Sequence, residues 1–258
     1  MRSLVKIALP AVIAVAVLMP VSWAETEEFN WSGSVGVGQT VEIKGVNGNI
    51  EAEPSTSGQV EVHAVKRGKR DDPSEVRIEV VEHSGGVTVC AIYPDKDYDC
   101  EPGEGGLGAR DNDVEVRFTV LVPSGANFAG RTVNGGVDVD SIEGNVEATT
   151  VNGGIEASAS GWVAATTVNG GIDVIMGSTD WDGQLRLETV NGGVKVVLPG
   201  EANTDVRMKT ANGEINSDFP VNMKGKYWNN RADGTIGSGG RELEIESVNG
   251  SIKVANSG

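Results

Sequence analysis

Along most of this chain apolar and polar residues alternate with a period of two, the spacing of β-strands whose successive side chains face opposite ways. The alternation is most regular in seven copies of one short pattern. Each copy reads small apolar residue, Asn-Gly, small or polar residue, Val or Ile, any residue, small residue. The copies begin at Val46, Val133, Val151, Val168, Val190, Ala211 and Val248. Counted from the asparagine, positions +3 and +5 share one face of a strand and +4 points away from it. No window carries a sustained helical period with caps, so the pattern predicts an all-β protein.

The repeat also predicts an architecture. Successive asparagines from Asn134 lie 18, 17, 22, 21 and 37 residues apart. Half-way elements fall between them: residues 142–148, Gly161-Trp162-Val163 and residues 182–188. One period therefore holds about two short strands and two turns. Asn-Gly between alternating runs is also a hairpin signal, and an antiparallel meander is the competing reading. A near-constant period with like residues at like positions favours coils stacked as a β-solenoid or β-helix. In that arrangement Val137, Ile155, Ile172, Val194, Ile215 and Ile252 form one inward ladder. Asn134, Asn152, Asn169, Asn191, Asn212 and Asn249 mark its corners, where Asn-Gly tolerates positive φ.

The first half differs. Longer alternating runs occupy 40–44, 59–66, 75–82, 86–93 and 113–122, joined by turn-like links. They predict an N-terminal antiparallel sheet packed against or capping the solenoid, whose end is otherwise an open edge. Residues 102–112 carry no pattern and read as a loop. Residues 219–240 interrupt the last coils as an excursion or a bulged coil. The expected division is 1–24, 25–130 and 131–258, the last two forming one continuous unit over 40–254.

Composition changes the picture at three points. Arg2 and Lys6 precede an apolar run from 7 to 21, and Ser22-Trp23-Ala24 carries the small residues of a cleavage site. Residues 1–24 thus read as a secretory signal cut after Ala24, with an uncleaved anchor as the alternative, and no spanning segment remains after cleavage. Without Arg2 and Lys6, 19 basic residues face 37 acidic ones, a net charge of −18. That balance argues against nucleic acid and anionic headgroups as partners. The two cysteines, Cys90 and Cys100, fall in the exported part, where an even count predicts a disulfide.

The V-N-G-G-[VI]-x-V repeats, the segment V-L-V-P-S-G-A at 120–126 and V-V-L-P-G at 196–200 resemble a bacterial family of exported repeat proteins known as "putative adhesin" proteins. The likeness extends over about residues 40–254. It implies a solenoid-like all-β shape and a location in the periplasm or at the cell surface, and supplies no catalytic residues.

The residues themselves offer little chemistry. A polysaccharide-active enzyme on a β-helix needs an acid and a base placed together. His63 and His83 lie outside the repeats, and no carboxylate pair stands in an apolar setting. Asp95, Asp97 and Asp99 begin like a helix-loop-helix calcium loop, but Cys100 and Gly106 stand where that loop needs Gly and Glu. They remain weak candidates for Ca2+, and no cofactor is expected. Stacked coils would set Asp138, Glu156 and Asp173 in an outward acidic row continued by Lys195. Trp162 and Trp181 are either surface residues for stacking a sugar or a protein partner, or plugs in the core. The expected function is a non-enzymatic envelope protein that binds a protein or glycan through a rigid solenoid face. An enzyme and an envelope stress or signalling accessory are the alternatives.

Overall fold

A computed structural model describes residues 25–94, 98–103, 105, 108–226 and 228–258. The proposed signal, 1–24, lies outside the described residues.

In chain order the strands are β1 (Glu25–Gly33), β2 (Thr40–Lys44), β3 (Ile50–Pro54), β4 (Val60–Gly68), β5 (Arg77–His83), β6 (Gly86–Ile92) and β7 (Glu115–Val122). Then come β8 (Asn127–Arg131), β9 (Val137–Ile142), β10 (Val146–Thr149), β11 (Ile155–Ala159), β12 (Val163–Asn169), β13 (Ile172–Met176), β14 (Gln184–Asn191) and β15 (Val194–Leu198). The last are β16 (Thr204–Asn212), β17 (Ile215–Ser217), β18 (Asn222–Lys226), β19 (Trp228–Ile236), β20 (Arg241–Asn249) and β21 (Ile252–Asn256).

They form two sheets, mostly parallel through the coils. Sheet A runs β1-β4-β7-β3-β9-β11-β13-β15-β21-β17, and sheet B runs β18-β19-β16-β20-β14-β12-β10-β8-β2-β6-β5. Each coil rises on sheet B, turns at Asn-Gly and returns on sheet A. This is the predicted β-solenoid. Its core lies between the sheets, where Ile50, Val137, Ile155, Ile172, Val194, Ile252 and Ile215 stack in register. All seven are buried, and each such side chain contributes roughly 1.5–3 kcal/mol by leaving water.

The N-terminal strands cap the solenoid by extending the same two sheets. Strands β2 and β3 form a full coil, parallel to β8 and β9. Strands β6 and β7 continue it in parallel, and β4, β1 and β5 close that end antiparallel. The segment at 219–240 is an excursion: the hairpin β18–β19 covers the far edge of sheet B beyond β16.

The spatial order of the last coils departs from sequence order. The C-terminal coil β20/β21 lies between β14/β15 and β16/β17. Charge is one contribution to this order. Stacked in sequence order, β16 would set Arg207 beside Arg186, and like charges directly opposite destabilise. Strand β20 instead interposes Glu242, Glu244 and Glu246. Glu244 meets Arg186 at 3.3 Å, Glu242 meets Arg207 at 2.7 Å, and Glu246 meets Lys209 at 3.0 Å. Each exposed pair contributes roughly 0.2–1 kcal/mol, partly offset where β20 sets Glu246 beside Glu188 and Glu242 beside Asp205.

Candidate functional site

The corner of each coil is built by two side-chain ladders. In the first, the Nδ2 of each asparagine donates to the Oδ1 of the next: Asn212 to Asn249, Asn249 to Asn191, Asn191 to Asn169, then Asn152, Asn134 and Asn47. Every bond is 2.8–2.9 Å. The aligned amides polarise one another. Asn47 ends the row by reaching the Asn112 carbonyl at 3.3 Å. Beside it, burial pushes the Tyr93 hydroxyl well above the ordinary tyrosine range, and the hydroxyl donates to the Val114 carbonyl at 2.8 Å.

In the second ladder, the hydroxyls two residues earlier, on Thr132, Thr150, Thr167, Thr189, Thr210 and Ser247, are buried. Each donates to a glycine carbonyl of the neighbouring coil, for example Thr167 to Gly153 at 2.9 Å. The hydroxyl two places before each asparagine, as in T-V-N-G, carries this signal in the sequence.

The corner asparagines do not sit at positive φ, and of the repeat glycines only Gly48 does. What the glycines supply is close approach. A Cβ on Gly170 would lie 1.9 Å from the Gly153 carbonyl oxygen, and Gly135, Gly153, Gly192, Gly213 and Gly250 meet the same obstacle.

On the outer face of sheet A, Glu51, Asp138, Glu156, Asp173, Lys195 and Lys253 stand in register. Lys195 neutralises Asp173 at 2.9 Å. Among the described residues no group of three or more His, Cys, Asp or Glu is placed to hold a metal ion. Asp95 and Asp97 lie outside the described residues, and Asp99 is exposed. Trp181 is 2% exposed, a core plug whose Nε1 donates to the Glu242 carbonyl at 3.2 Å. Of its two expected roles, surface contact and core plug, Trp181 takes the second, so it is no binding residue. His63 pairs with Asn30 at 2.7 Å.

A walled depression lies on the outer face of sheet B, and a more open one lies on the outer face of sheet A along Glu156, Asp173 and Lys195. Cys90 and Cys100 are bridged, with Cα atoms 5.7 Å apart. They form with Ile92, Val81 and Tyr98 a small apolar cluster outside the main core. The chain after Cys100 folds over β2, so both faces of that strand are covered. Lys44 holds this wall: its Nζ donates to the carbonyls of Glu101 and Gly103 at 2.6 Å and of Gly105 at 3.2 Å. Burial lowers the Lys44 pKa, against the opposing pull of Glu42. Glu42 accepts from Thr88, from the Gly103 amide and from Arg131 Nε at 2.9, 3.0 and 3.1 Å. Arg131 also reaches Glu147 at 3.1 Å.

Next to that wall is a groove of about 350 Å³ lined by His83, Glu42, Arg131, Glu147, Trp162 and the Pro102-Gly103 turn. A second depression adjoins it across Arg131, Glu147 and Trp162 and continues past Ala164 and Thr166 to Arg186. Together they span β2 to β14, four strand spacings or about 19 Å. The outward positions between the charges are Ala129 and Ala164, which make a flat floor. Trp162 is half-buried where the two depressions meet. Of these residues the sequence reading singled out Trp162 as a binding residue. Glu42, Lys44, Arg131 and Glu147 look like ordinary strand charges until the cysteine loop is laid over them.

No helix among the described residues is long and apolar enough to cross a membrane. No curated protein matches the chain. Among solved structures, a "putative cell adhesion protein" from Clostridium sporogenes is similar over 90% of this chain and 100% of its own, at 13% identity and a TM-score of 0.48. A "putative adhesin" from Bacteroides fragilis is similar over 88% and 97%, at 9% identity and a TM-score of 0.30. The family model for Toastrack DUF4097 matches residues 127–255, half of the chain, from the start of β8 almost to the end of β21. The chain, with its stacked two-sheet coils, belongs to the Toastrack DUF4097 family.

Proposed function

We propose that this chain is a non-enzymatic, exported binding protein of adhesin type that holds a neutral glycan along the outer face of sheet B. The observation that carries the reading is Trp162, a half-buried aromatic at the junction of two depressions with an alanine floor. A pyranose ring offers an apolar face to an aromatic and a rim of hydroxyls to polar neighbours. Arg131, Glu147, Asn127 and Asn145 line that rim. The charged lining of the two depressions is Arg131 and Arg186 against Glu42, Glu147 and Asp182, with Lys44 buried behind Glu42, so the groove carries no strong surplus of either sign for a charged polymer. Glu42 has both oxygens committed to donors, which suits a positioning role better than proton transfer.

The test is an array of neutral and charged oligosaccharides probed with the wild-type chain and with Trp162→Ala. Retention of a neutral glycan, weakened about tenfold by the substitution, is expected from the loss of one stacked aromatic. Failure to retain any neutral glycan, or equal retention by Trp162→Ala, overturns the proposal.

A further inference from the structure

The placement of the C-terminal coil points to a second recognition site, independent of the glycan groove. Strands β14 and β16 are consecutive on sheet B in the chain, yet β20 separates them. The space between them is specified for that one segment. Its walls present Arg186 on one side and Arg207 and Lys209 on the other, opposite the three glutamates of β20, with Glu188 and Asp205 also facing it. Its floor takes Leu243 and Ile245, and the asparagine ladder runs through Asn249 between Asn191 and Asn212. Trp181 closes the slot by donating to the Glu242 backbone carbonyl.

The segment enters by a short crossing. Ile236 of β19 and Arg241 of β20 both pair with Thr204, from opposite sides of β16. Residues 237–240 therefore pass over the start of β16 and join points about 10 Å apart, two strand spacings. Gly237, Gly239 and Gly240 take positive φ in that loop. It is pinned where Asn203 accepts from the Ser238 amide at 2.8 Å and Asp205 accepts from the Gly240 amide at 3.2 Å.

We propose that the slot between β14/β15 and β16/β17 is a self-docking site that accepts residues 241–258 of a second copy as well as its own, so that the protein assembles by reciprocal exchange of C-terminal coils. Everything that fixes the segment in the slot lies within residues 241–258 and the two walls. Only the loop at 237–240 decides which copy supplies it. Exchange of an identical element at a hinge is a low-cost route to a symmetric dimer, and a short loop across a gap is where it begins.

Two experiments on the full chain test this. Deleting residues 238–240 leaves two backbone steps between Ile236 and Arg241, about 7 Å at full extension, too short to close within one copy. The expected product is a dimer or larger closed assembly by light scattering, with β14 and β20 protected from hydrogen exchange. A monomer with β20 unprotected overturns the proposal. The second experiment pairs a slot variant, Arg186→Glu with Arg207→Glu, and a coil variant, Glu242→Arg with Glu244→Arg. Each alone sets like charges against each other and melts earlier than wild type. Warmed together and cooled, they are expected to form a one-to-one heterodimer that melts closer to wild type, because reciprocal exchange matches every pair. Two species that stay monomeric after mixing overturn the proposal.

Discussion

The regular coils from β8 to β15 and the N-terminal coil β6/β7 use the same two sheets but solve the corner differently. In the regular coils the corner is two ladders of like side chains with a glycine packed against the next coil's backbone. Between β6 and β7 the corner is closed by Cys90–Cys100 and pinned where Lys44 reaches Glu101, Gly103 and Gly105. The first kind of corner repeats because each coil offers the next the same donors and acceptors. The second is made once, and it lays a wall over the outer face of sheet B. The groove lies where the two meet: the regular coils supply a flat floor and Trp162, and the irregular corner supplies the wall that buries Glu42 of β2.

The largest expected effect separates the two glycines of one repeat. Gly170→Ala forces a Cβ against the Gly153 carbonyl and should cost about 3–5 kcal/mol or prevent folding. Gly171→Ala meets nothing closer than 3.5 Å and should stay within about 0.5 kcal/mol of wild type by chemical denaturation. Equal costs would remove close approach as the reason for the glycine.

Breaking the other corner comes next. Replacing Cys90 and Cys100 by alanine opens a loop of sequence separation 10 and should cost about 2–3 kcal/mol. Hydrogen exchange should rise in β5, β6 and the wall, while β11 to β15 stay protected. Uniform deprotection would mean that the corner stabilises the whole solenoid.

Single ladder rungs are worth less. Thr167→Val leaves the Gly153 carbonyl without its buried partner and should cost about 1–2 kcal/mol. Asn169→Ala breaks two exposed amide bonds and should cost about 1 kcal/mol. Denaturant midpoints that rank the two the other way would make the amide row the stronger of the ladders.

The smallest effect is at acid pH. Asp113 accepts from Arg70 and from the Asp71 amide, and these bonds hold its pKa well below the usual carboxylate value. Asp205 is lowered by the Thr235 hydroxyl and the Gly240 amide. A depressed folded-state pKa adds stability that is present above the unfolded value, near 4, and lost as pH falls below it. Thermal melts below pH 4 should therefore fall less steeply for Asp113→Asn and Asp205→Asn than for wild type. Unchanged acid limbs would show that neither carboxylate contributes.

The strands were legible because alternation reports a buried face directly, so 40–44, 86–92 and 115–122 were readable to within two residues. The inward ladder was legible because stacked coils place like residues together. The order of the last two coils was not, because β16 and β20 alternate alike and nothing local says which of them lies against β14. The groove was half legible. Trp162 stood out as an aromatic in a sparse sequence, whereas Glu42 and Lys44 acquire their roles from a loop some 57 to 61 residues away in the chain. Trp181 was indistinguishable from Trp162 by local pattern, since only contact with Glu242 of the inserted coil marks it as core.

The measurement that bears most directly on the account is hydrogen exchange of the wild-type chain with and without a neutral oligosaccharide retained on the array. The account predicts added protection confined to β2, β8, β10 and β12 and to the Pro102-Gly103 turn, with sheet A unchanged. Protection on sheet A, or none on these strands at saturating glycan, would contradict it.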